Sequence, residues 1–290
     1  MKDYKGIVFF DADGTIIKNN KISKLTREAF TKLRENGYIL VLSTGRALPA
    51  IDGILKDMNF ENIICSAGGA VVVNNEIIYS KPMKKESLKE LVEYFDKYNI
   101  IYNMEANDYI WIKKGQKEKY LRLFEIPEKG IISDDEYNKA VERLTMISNR
   151  TMEIEDVSNL EVNKIHYYEA DVLYDGNELP ISYKQVVEEL GEKYKCVSLS
   201  LSKLFSGGEI CEKEISKKTG MDVILKYFDV DKENIYAIGD DYNDIEMLEY
   251  APKSIAMGNA PEEIKKICSY ITESVDNDGF YHAMKHFGLI

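Results

Sequence analysis

The sequence is poor in cysteine and histidine and has no long apolar run. No apolar run approaches the length needed to cross a bilayer, so we expect no membrane partner. The four cysteines are scattered and form no CxxC, which argues against a disulfide framework and against a thiolate metal site. Three histidines are too few to favour a histidine-rich zinc site. The residues in question are Cys65, Cys196, Cys211, Cys268, His166, His282 and His286.

Basic residues are also in deficit. The chain has 38 lysines and arginines against 50 aspartates and glutamates, a net charge of −12. Binding to a phosphate backbone needs basic patches, so we expect no nucleic-acid partner. A small phosphorylated substrate is compatible with this charge, because local cations or a bound metal can override the global field.

The composition is that of a globular protein, with 44% hydrophobic and 30% charged residues in a chain of 290. The first five residues lack the apolar stretch of a secretory signal, so we expect a cytoplasmic protein. The length suits one large or two ordinary domains, and we favour two. We expect a monomer or a weak dimer.

The most informative stretch is residues 6–15 (GIVFFDADGT), where an uncharged run ends in two carboxylates and a glycine. The run predicts a strand that is buried on both faces and delivers Asp11 and Asp13 to its carboxyl end. In open parallel sheets, ligands bind at that end. Taken alone, such a DxD motif is more often a polar loop after a core strand. The rest of the chain favours a metal-dependent acid/base or nucleophilic site instead.

Two more predicted strands end in polar groups. Residues 39–42 (ILVL) are followed by STGR at 43–46, and residues 235–238 (IYAI) are followed by GDDYND at 239–244. A lysine-rich segment, residues 213–218, precedes the last of these strands. The carboxyl tips of neighbouring parallel strands lie along one edge, so these groups can converge although they are far apart in sequence.

The periodicity between these motifs predicts an α/β fold. Apolar residues spaced by three and four predict a helix after the first strand, with Ser23 or Thr26 as N-cap and Gly37 as its stop. A strand–helix–strand crossover of this kind implies a parallel sheet. A second helix through residues 51–58 and a β-hairpin over residues 71–79 are predicted to follow.

The pattern changes at Pro82, after which amphipathic helices and alternating strands replace the buried strands. Alternation is typical of half-buried antiparallel strands, so we expect an inserted α+β domain over residues 83–204. Residues 1–82 and 205–290 are expected to form a discontinuous core with a Rossmann-like parallel sheet.

The residues at the strand ends suit phosphoryl transfer. An aspartate nucleophile can divide the reaction into two steps through an aspartyl-phosphate, and a second acid can protonate the leaving oxygen and later activate water. Because phosphate and carboxylate are both anionic, such a site also needs Mg²⁺, a lysine and neutral donors. The motifs supply each of these protein groups.

All four motifs in this order and spacing resemble those of haloacid dehalogenase (HAD) superfamily phosphatases, of the Cof type with a class II, subclass B cap. The resemblance extends to AMGNA at residues 256–260 and NDG at 277–279. It implies a phosphoric monoester hydrolase that acts on a small soluble substrate, such as a sugar phosphate or a phosphorylated cofactor. The inserted domain would then be a cap that selects the substrate.

The resemblance also implies roles for single residues. Asp11 would be the nucleophile and Asp13 the general acid/base, while Thr44 would bind the phosphoryl group and Lys217 would neutralise its charge. Further implied substrate or phosphate contacts are Ala12, Gly45, Arg46 and Asn243. The implied Mg²⁺ ligands are Asp11, Asp13 through its backbone carbonyl, Asp240, and Asp244 either as a ligand or behind the ligands.

Several alternatives stay open at this stage. The usual lysine motif reads Ser-Lys-Gly, but here Lys218 follows Lys217, so Lys218 or Lys213 could compete for the role. Arg46 could clamp substrate or hold the adjacent turn by pairing with an acid. Asp244 could serve only as a first-turn helix acid.

Two further departures from the family pattern are Gly68, where an asparagine is frequent, and Asp241, where a glycine is frequent. The alternative functions are a phosphotransferase or phosphomutase with the same intermediate, and a non-catalytic phospho-ligand sensor. The intact Asp13 disfavours a sensor, because a sensor does not need a base for the second step.

Overall fold

A computed structural model of the chain describes residues 4–124, 126–169, 181–202 and 205–290. Residues 1–3, which contributed to the cytoplasmic expectation, and residue 204, at the expected domain boundary, lie outside this set. No helix within it is long and apolar enough to cross a membrane. The chain divides into a first unit (Met1–Arg46, Ile51–Ser80 and Ile215–Ile290) and a second unit (Ala47–Ala50 and Lys81–Glu214).

The elements are numbered in chain order. The strands are β1 Gly6–Phe10, β2 Tyr38–Ser43, β3 Asn62–Cys65, β4 Ala70–Val73, β5 Glu76–Ser80, β6 Tyr102–Ala106, β7 Ile110–Lys113, β8 Thr151–Ile154, β9 Val162–Tyr168, β10 Tyr194–Ser202, β11 Phe205–Glu212, β12 Ile235–Gly239, β13 Lys253–Ala256 and β14 Tyr270–Ile271. The helices are α1 Lys24–Glu35, α2 Ile54–Asp57, α3 Lys85–Lys97, α4 Lys117–Leu121, α5 Asp134–Arg150, α6 Tyr183–Leu190, α7 Lys217–Phe228, α8 Ile245–Tyr250, α9 Glu262–Ile267 and α10 Gly279–His286.

The first unit is built on an eight-stranded sheet of order β14-β13-β12-β1-β2-β3-β4-β5. The strands from β14 to β3 are parallel to their neighbours, and β4 and β5 add antiparallel at one edge. The expected Rossmann-like sheet and the hairpin are therefore both confirmed. All five residues of β1 are buried, as its uncharged sequence predicts.

Helix α1 begins and ends where its sequence predicts. The Ser23 hydroxyl accepts a hydrogen bond from the Thr26 N–H at 3.0 Å, so Ser23 rather than Thr26 is the N-cap. Just beyond the helix, Gly37 has φ +85°, a left-handed conformation that favours glycine.

One face of β1 packs into an aromatic cluster. The rings of Phe10, Phe30, Phe60 and Phe280 pack with centroid separations from 4.8 to 5.7 Å, and all four side chains are buried. On the other face of the sheet, Ile7 and Phe9 pack in a second cluster with residues of α7 and α8. Burial on both faces fixes the end of β1, where Asp11 follows.

The second predicted helix is shorter than its sequence pattern suggested. The structure has a 3₁₀ turn at Leu48–Ala50 and then the single-turn helix α2, so a helix through Ile51 is wrong. Gly53 explains the difference, because its φ of +52° and ψ of −127° are not helical and interrupt the chain just before α2.

The second unit contains a six-stranded sheet of order β10-β11-β9-β6-β7-β8. Its neighbours are antiparallel, apart from the parallel pair β7 and β8. Strand β11 pairs with β9 and β10, so residues 205–214 lie with the second unit. The sequence-based boundary at 205 had placed this strand in the core, because the sequence of β11 does not by itself identify its partner strands.

Helices cover both faces of this second sheet. On one face, Leu91 and Phe95 of α3 and Val186 of α6 pack against Tyr102 and Ile165. On the other face, Tyr120 of α4 and Ile147 of α5 pack against Ile112 and Tyr168.

A polar cluster lies within the second sheet. The Lys164 ammonium is 3.2 Å from Glu105 Oε2, contacts Glu209 Oε1, and is almost fully buried. Burial raises the pKa of Glu105 although Lys164 opposes the rise. Burial also lowers the pKa of the neighbouring His166 to about 4, so this imidazole is neutral at neutral pH.

Helix α7 depends on a glycine for its contact with the sheet. A Cβ on Gly220 would lie 2.4 Å from Cγ2 of Ile64 in β3, and Ile64 is fully buried. We therefore expect Gly220→Ala to reduce the free energy of unfolding by about 1–3 kcal/mol. This loss should occur although alanine stabilises a helix by about 1 kcal/mol relative to glycine where a side chain has room. Urea denaturation followed by circular dichroism measures the change.

Ile64→Ala is the matched control for this contact. The double variant should lose less free energy than the sum of the two single variants, because the shorter side chain at position 64 makes room for the new methyl group. A Gly220→Ala protein more stable than the wild type would contradict the contact.

Unfolding of the second unit should depend on pH through His166. Because its pKa is lower in the folded chain than the ordinary value of 6.5, the unfolded chain takes up the proton first as pH falls. Stability should therefore decrease between pH 6.5 and 4, by up to about 1.4 kcal/mol per pH unit. The single tryptophan, Trp111 in β7, reports unfolding of this unit by its fluorescence.

His166→Gln should remove this component. The raised pKa of Glu105 changes stability in the opposite direction, because the stability that Glu105 contributes is lost as pH rises. Both the wild type and the variant contain Glu105. The difference between wild type and variant therefore isolates His166. Equal changes in stability between pH 6.5 and 5 in the two proteins would contradict a neutral buried imidazole.

Candidate active site

The polar motifs meet at the carboxyl edge of the first sheet. Strand β1 lies between β2 and β12, with Phe10 in register with both Leu42 and Ile238. Asp11 continues this pairing, because its N–H donates to the Ile238 carbonyl at 3.0 Å. The ends of all three strands therefore face one region.

Asp11 is paired with a lysine from α7. Lys217 is the first residue of that helix, and its Nζ lies 2.5 Å from Asp11 Oδ1 and 2.5 Å from Asp244 Oδ1. All three side chains are buried. Burial opposes the charge on Lys217, but the two carboxylates outweigh burial and raise its pKa.

The neighbouring lysines lie elsewhere. Lys218 is exposed, with its ammonium 5.2 Å from the centre of the Tyr250 ring, and Lys213 is exposed as well. Of the three lysines weighed from the sequence, Lys217 is the one that reaches Asp11.

Asp244 is held entirely by the protein. Its Oδ1 accepts from Lys217, and its Oδ2 accepts the N–H groups of Asp240 at 3.0 Å and Asp241 at 3.2 Å. It is fully buried, whereas Asp240 is partly exposed. These contacts favour a role for Asp244 in supporting the metal ligands rather than in binding the metal directly. They also exceed the role of a first-turn acid that interacts with the helix dipole.

Arg46 pairs with the expected acid/base. Its Nε lies 2.9 Å from Asp13 Oδ2 and its Nη2 lies 2.7 Å from Asp13 Oδ1, a bidentate ion pair. Burial opposes the charge on Arg46, but the hydrogen bonds to Asp13 and the charges of Asp13, Asp52 and Asp11 together outweigh burial and raise the pKa of Arg46. Of the two roles weighed for Arg46, the structure contains the pairing with an acid.

Thr44 and Asn243 approach the same edge. Thr44 is buried, and its Oγ1 accepts the Arg46 N–H at 3.1 Å, which closes the turn through Gly45. Asn243 Nδ2 lies 3.6 Å from the position that a Cβ on Gly45 would take. The STGR motif at 43–46 and the GDDYND motif at 239–244 are therefore in contact. Asn243 Oδ1 is buried and has no hydrogen-bond partner among the described residues.

The loop after Asp11 is shaped by its own backbone. The Ala12 carbonyl accepts the N–H groups of Ile16 and Ile17, and Gly14 has φ +90°. A Cβ on Gly14 would lie 2.1 Å from Asp240 Oδ2. Glycine therefore allows this loop to lie directly against Asp240.

Gly68 has a structural reason to be glycine. It has φ +104°, and a Cβ there would lie 1.8 Å from the Ser216 carbonyl oxygen. The turn at Ser66–Gly68 thus packs against the residue just before Lys217. An asparagine at this position would force the start of α7 away.

The carboxylates form a cluster of negative charge. Ligand oxygens of Asp11, Asp240 and Asp244 lie within 4.8 Å of one another. Burial raises the pKa of Asp11 well above its usual range, with the charges of Asp244 and Asp240 adding to the rise and Lys217 opposing it. Burial, with the charge of Asp244, raises the pKa of Asp240 to about 7.

This cluster has the donor chemistry that Mg²⁺ prefers. Its oxygens are hard ligands, and a cation would stabilise carboxylates whose ionisation burial and mutual repulsion disfavour. Asp11 and Asp240 are the side chains best placed to hold a cation. The Asp13 carboxylate is directed to Arg46, so Asp13 could contribute only through its backbone carbonyl.

Two residues in contact with Asp240 were missed in the sequence. Thr15 Oγ1 donates to Asp240 Oδ1 at 2.8 Å, and Asn259 Nδ2 donates to Asp240 Oδ2 at 3.2 Å. Both belong to stretches that carry the family resemblance, DADGT and AMGNA. That position within a motif was the available signal, but the direction of each side chain is not encoded in a pattern.

Relatives from Bacillus subtilis align with nearly the whole chain. The chain is 26% identical over 288 residues to 5-amino-6-(5-phospho-D-ribitylamino)uracil phosphatase YitU of Bacillus subtilis (strain 168), covering 97% of each. It is also 26% identical over 288 residues to phosphatase YwpJ of the same organism, covering 97% of this chain and 99% of YwpJ.

Solved structures share the fold. BT1666 from Bacteroides thetaiotaomicron, a phosphatase of the haloalkanoate (HAD) enzyme superfamily, superposes with a TM-score of 0.72 at 23% identity, covering 98% of this chain and 96% of BT1666. The expected α/β fold with an inserted domain is thereby confirmed.

The family model described as haloacid dehalogenase-like hydrolase matches residues 8–284. The match includes every strand end that contributes to the site and both flanks of the inserted unit. The expectation of a HAD-type phosphoric monoester hydrolase is confirmed by this match together with the phosphatase relatives. The chain therefore belongs to the haloacid dehalogenase-like hydrolase family.

Proposed function

We propose that this protein is a Mg²⁺-dependent phosphatase that hydrolyses a small soluble phosphomonoester through an aspartyl-phosphate on Asp11. The observation that carries the proposal is the buried Asp11 carboxylate, paired with Lys217 at the carboxyl edge of the sheet and two residues from Asp13. A nucleophile, a cation and a second acid are the groups that phosphoryl transfer through a covalent intermediate requires.

In the first proposed step, an Asp11 oxygen forms a bond to phosphorus as the bond from phosphorus to the leaving oxygen breaks. Protonated Asp13 gives its proton to that leaving oxygen. In the second step, Asp13 accepts a proton from a water molecule whose oxygen attacks phosphorus, and the bond to Asp11 breaks. Inorganic phosphate is released, and both carboxyl groups return to their starting states.

The ion pair between Arg46 and Asp13 orients the proposed acid/base. The bidentate contact holds both carboxylate oxygens of Asp13 in place. A substrate phosphate would compete with Asp13 for Arg46. We thus propose that Arg46 contacts both Asp13 and the substrate phosphate, the two roles that the sequence left open.

The remaining groups have proposed roles in binding. Mg²⁺ would be held by Asp11, Asp240 and the Asp13 backbone carbonyl. Its positive charge would offset the negative charge of the carboxylates and the phosphoryl oxygens. Lys217 fixes Asp11 and neutralises charge. Thr44, Asn243 and the backbone of Ala12 and Gly45 would donate to the phosphoryl group.

For the substrate, we propose a sugar phosphate or a phosphorylated cofactor, selected by the second unit acting as a cap. The relative YitU, named as a 5-amino-6-(5-phospho-D-ribitylamino)uracil phosphatase, supports this class. A cytoplasmic location, a monomer or weak dimer, and the absence of nucleic-acid and membrane partners are part of the same proposal.

Asp11→Asn should abolish phosphatase activity. An amide is a poor nucleophile, so phosphate release should fall by about 10³-fold or more. The assay measures phosphate release from sugar phosphates, flavin mononucleotide, pyridoxal phosphate and nucleotides, with Mg²⁺ or with a chelator. Asp57→Asn, an exposed acid in α2, is the matched control and should keep full activity.

Three results would change this proposal. Substantial phosphate release by Asp11→Asn would exclude Asp11 as nucleophile. Phosphate transfer to an added sugar that exceeds release to water would indicate a transferase. A stable phospho-Asp11 without turnover would favour a sensor.

Lys217→Met and Lys218→Met together test which of the two lysines pairs with Asp11. Lys217→Met leaves two buried carboxylates without a counter-charge, so the free energy of unfolding should fall by about 3–5 kcal/mol. Phosphate release should fall by at least about 10²-fold. Lys218→Met removes an exposed contact with Tyr250 and should cost less than about 1 kcal/mol. Equal effects of the two substitutions on stability and activity would contradict the assignment.

A further inference from the structure

The Asp240 carboxylate is held at both of its oxygens. Thr15 Oγ1 donates to Oδ1 at 2.8 Å, and Asn259 Nδ2 donates to Oδ2 at 3.2 Å. One hydrogen bond on each oxygen fixes the plane of the carboxylate, and each oxygen keeps a lone pair for a cation.

Thr15 makes its bond in a buried position. Only 1% of its surface is exposed, so water cannot readily replace the hydroxyl if it is removed. Its place is set by the turn in which the Ala12 carbonyl accepts the N–H groups of Ile16 and Ile17. The same turn contains Gly14, which lies directly against Asp240.

Asn259 is exposed, but three contacts fix its amide. Nδ2 donates to the Gly14 carbonyl at 3.0 Å as well as to Asp240, and Oδ1 accepts the Val275 N–H at 2.9 Å. With its oxygen committed to Val275, the amide can present only its NH₂ group to Asp240. Asn259 thus joins the loop after β1, the loop after β13 and the turn at Val275–Asn277.

A glycine makes this arrangement possible. A Cβ on Gly258 would lie 2.7 Å from the Ser274 nitrogen, so only a residue without a side chain lets the two segments approach. The Gly258 N–H donates to the Glu273 carbonyl at 3.0 Å across the same contact. Asn259 is thereby brought within reach of Val275.

Asp240 would not hold this orientation by charge alone. Its neighbour Asp244 is also a carboxylate, and the two share a cluster in which ligand oxygens lie within 4.8 Å of one another. Repulsion would favour rotation of Asp240 away from the cluster. The two donors oppose that rotation.

We propose that Thr15 and Asn259 are positioning residues that orient Asp240 for a divalent cation. The inference rests on the proposed function, because it assumes that Asp240 is a cation ligand. Groups that hydrogen-bond a metal ligand commonly change metal affinity by about 10–100-fold when they are removed. Thr15, which is buried, should have the larger effect, and Asn259, which is exposed, the smaller.

The test is direct titration of the metal-free protein with Mg²⁺ by calorimetry, repeated with Mn²⁺ by electron paramagnetic resonance. Thr15→Val keeps the shape and removes the donor, so the dissociation constant should rise about 10–100-fold. Thr15→Ser keeps a hydroxyl and should stay within about threefold of the wild type, and Asn259→Ala should weaken binding by about 3–10-fold. Thr26→Val, at a buried threonine in α1, is the matched control with unchanged affinity.

The melting temperature of each metal-free variant separates positioning from a general structural role. Variants that melt earlier but bind Mg²⁺ with wild-type affinity when folded would overturn the inference. So would equal affinities of the Thr15→Val and Thr15→Ser proteins. If Thr15→Val does not fold, Thr15→Ser and Asn259→Ala still decide, because loss of affinity in the serine variant or none in the alanine variant contradicts the inference.

Failure of the proposed function would look different. Wild-type protein that binds neither Mg²⁺ nor Mn²⁺ at millimolar concentration would overturn both the metal dependence and this inference. Wild-type protein that binds Mg²⁺ and releases phosphate, with variants that bind equally well, would overturn the inference alone.

Discussion

The site depends on one buried lysine. Lys217 lies between Asp11 and Asp244, and without it the chain would bury two carboxylates that repel each other. The same ammonium connects the start of α7, the end of β1 and the turn after β12. A charge that the fold needs for stability is therefore also the charge that a phosphoryl group would meet.

Backbone without side chains allows the segments to come this close. Gly14 lies against Asp240, Gly68 against Ser216, and Gly258 against Ser274, each at a distance that a Cβ would not permit. Residues that bear charge are thus positioned by neighbours that bear no side chain. This explains why Gly68, a departure from the expected asparagine, is compatible with an intact site.

The sequence predicted the features that follow from local periodicity. Uncharged runs identified β1, β2 and β12, and polar residues after them identified the edge where the site lies. Contacts that depend on side-chain direction were not predictable. Examples are the ion pair between Arg46 and Asp13 and the hydrogen bond from Thr15 to Asp240. The place of β11 was missed for a related reason, since its pairing with β9 is a long-range contact that its local sequence does not specify.

The separation of Asp11 from its partner has a consequence for synthesis of the protein. Asp11 and Lys217 are 206 residues apart, with the second unit encoded between them. At about 5–20 residues per second, roughly 10–40 s pass before the ribosome adds the lysine after the aspartate. During that time β1 lacks its neighbour β12, and the nascent first unit has an open sheet edge. The second unit is also completed late, because β10 and β11 of its sheet are added just before Lys217.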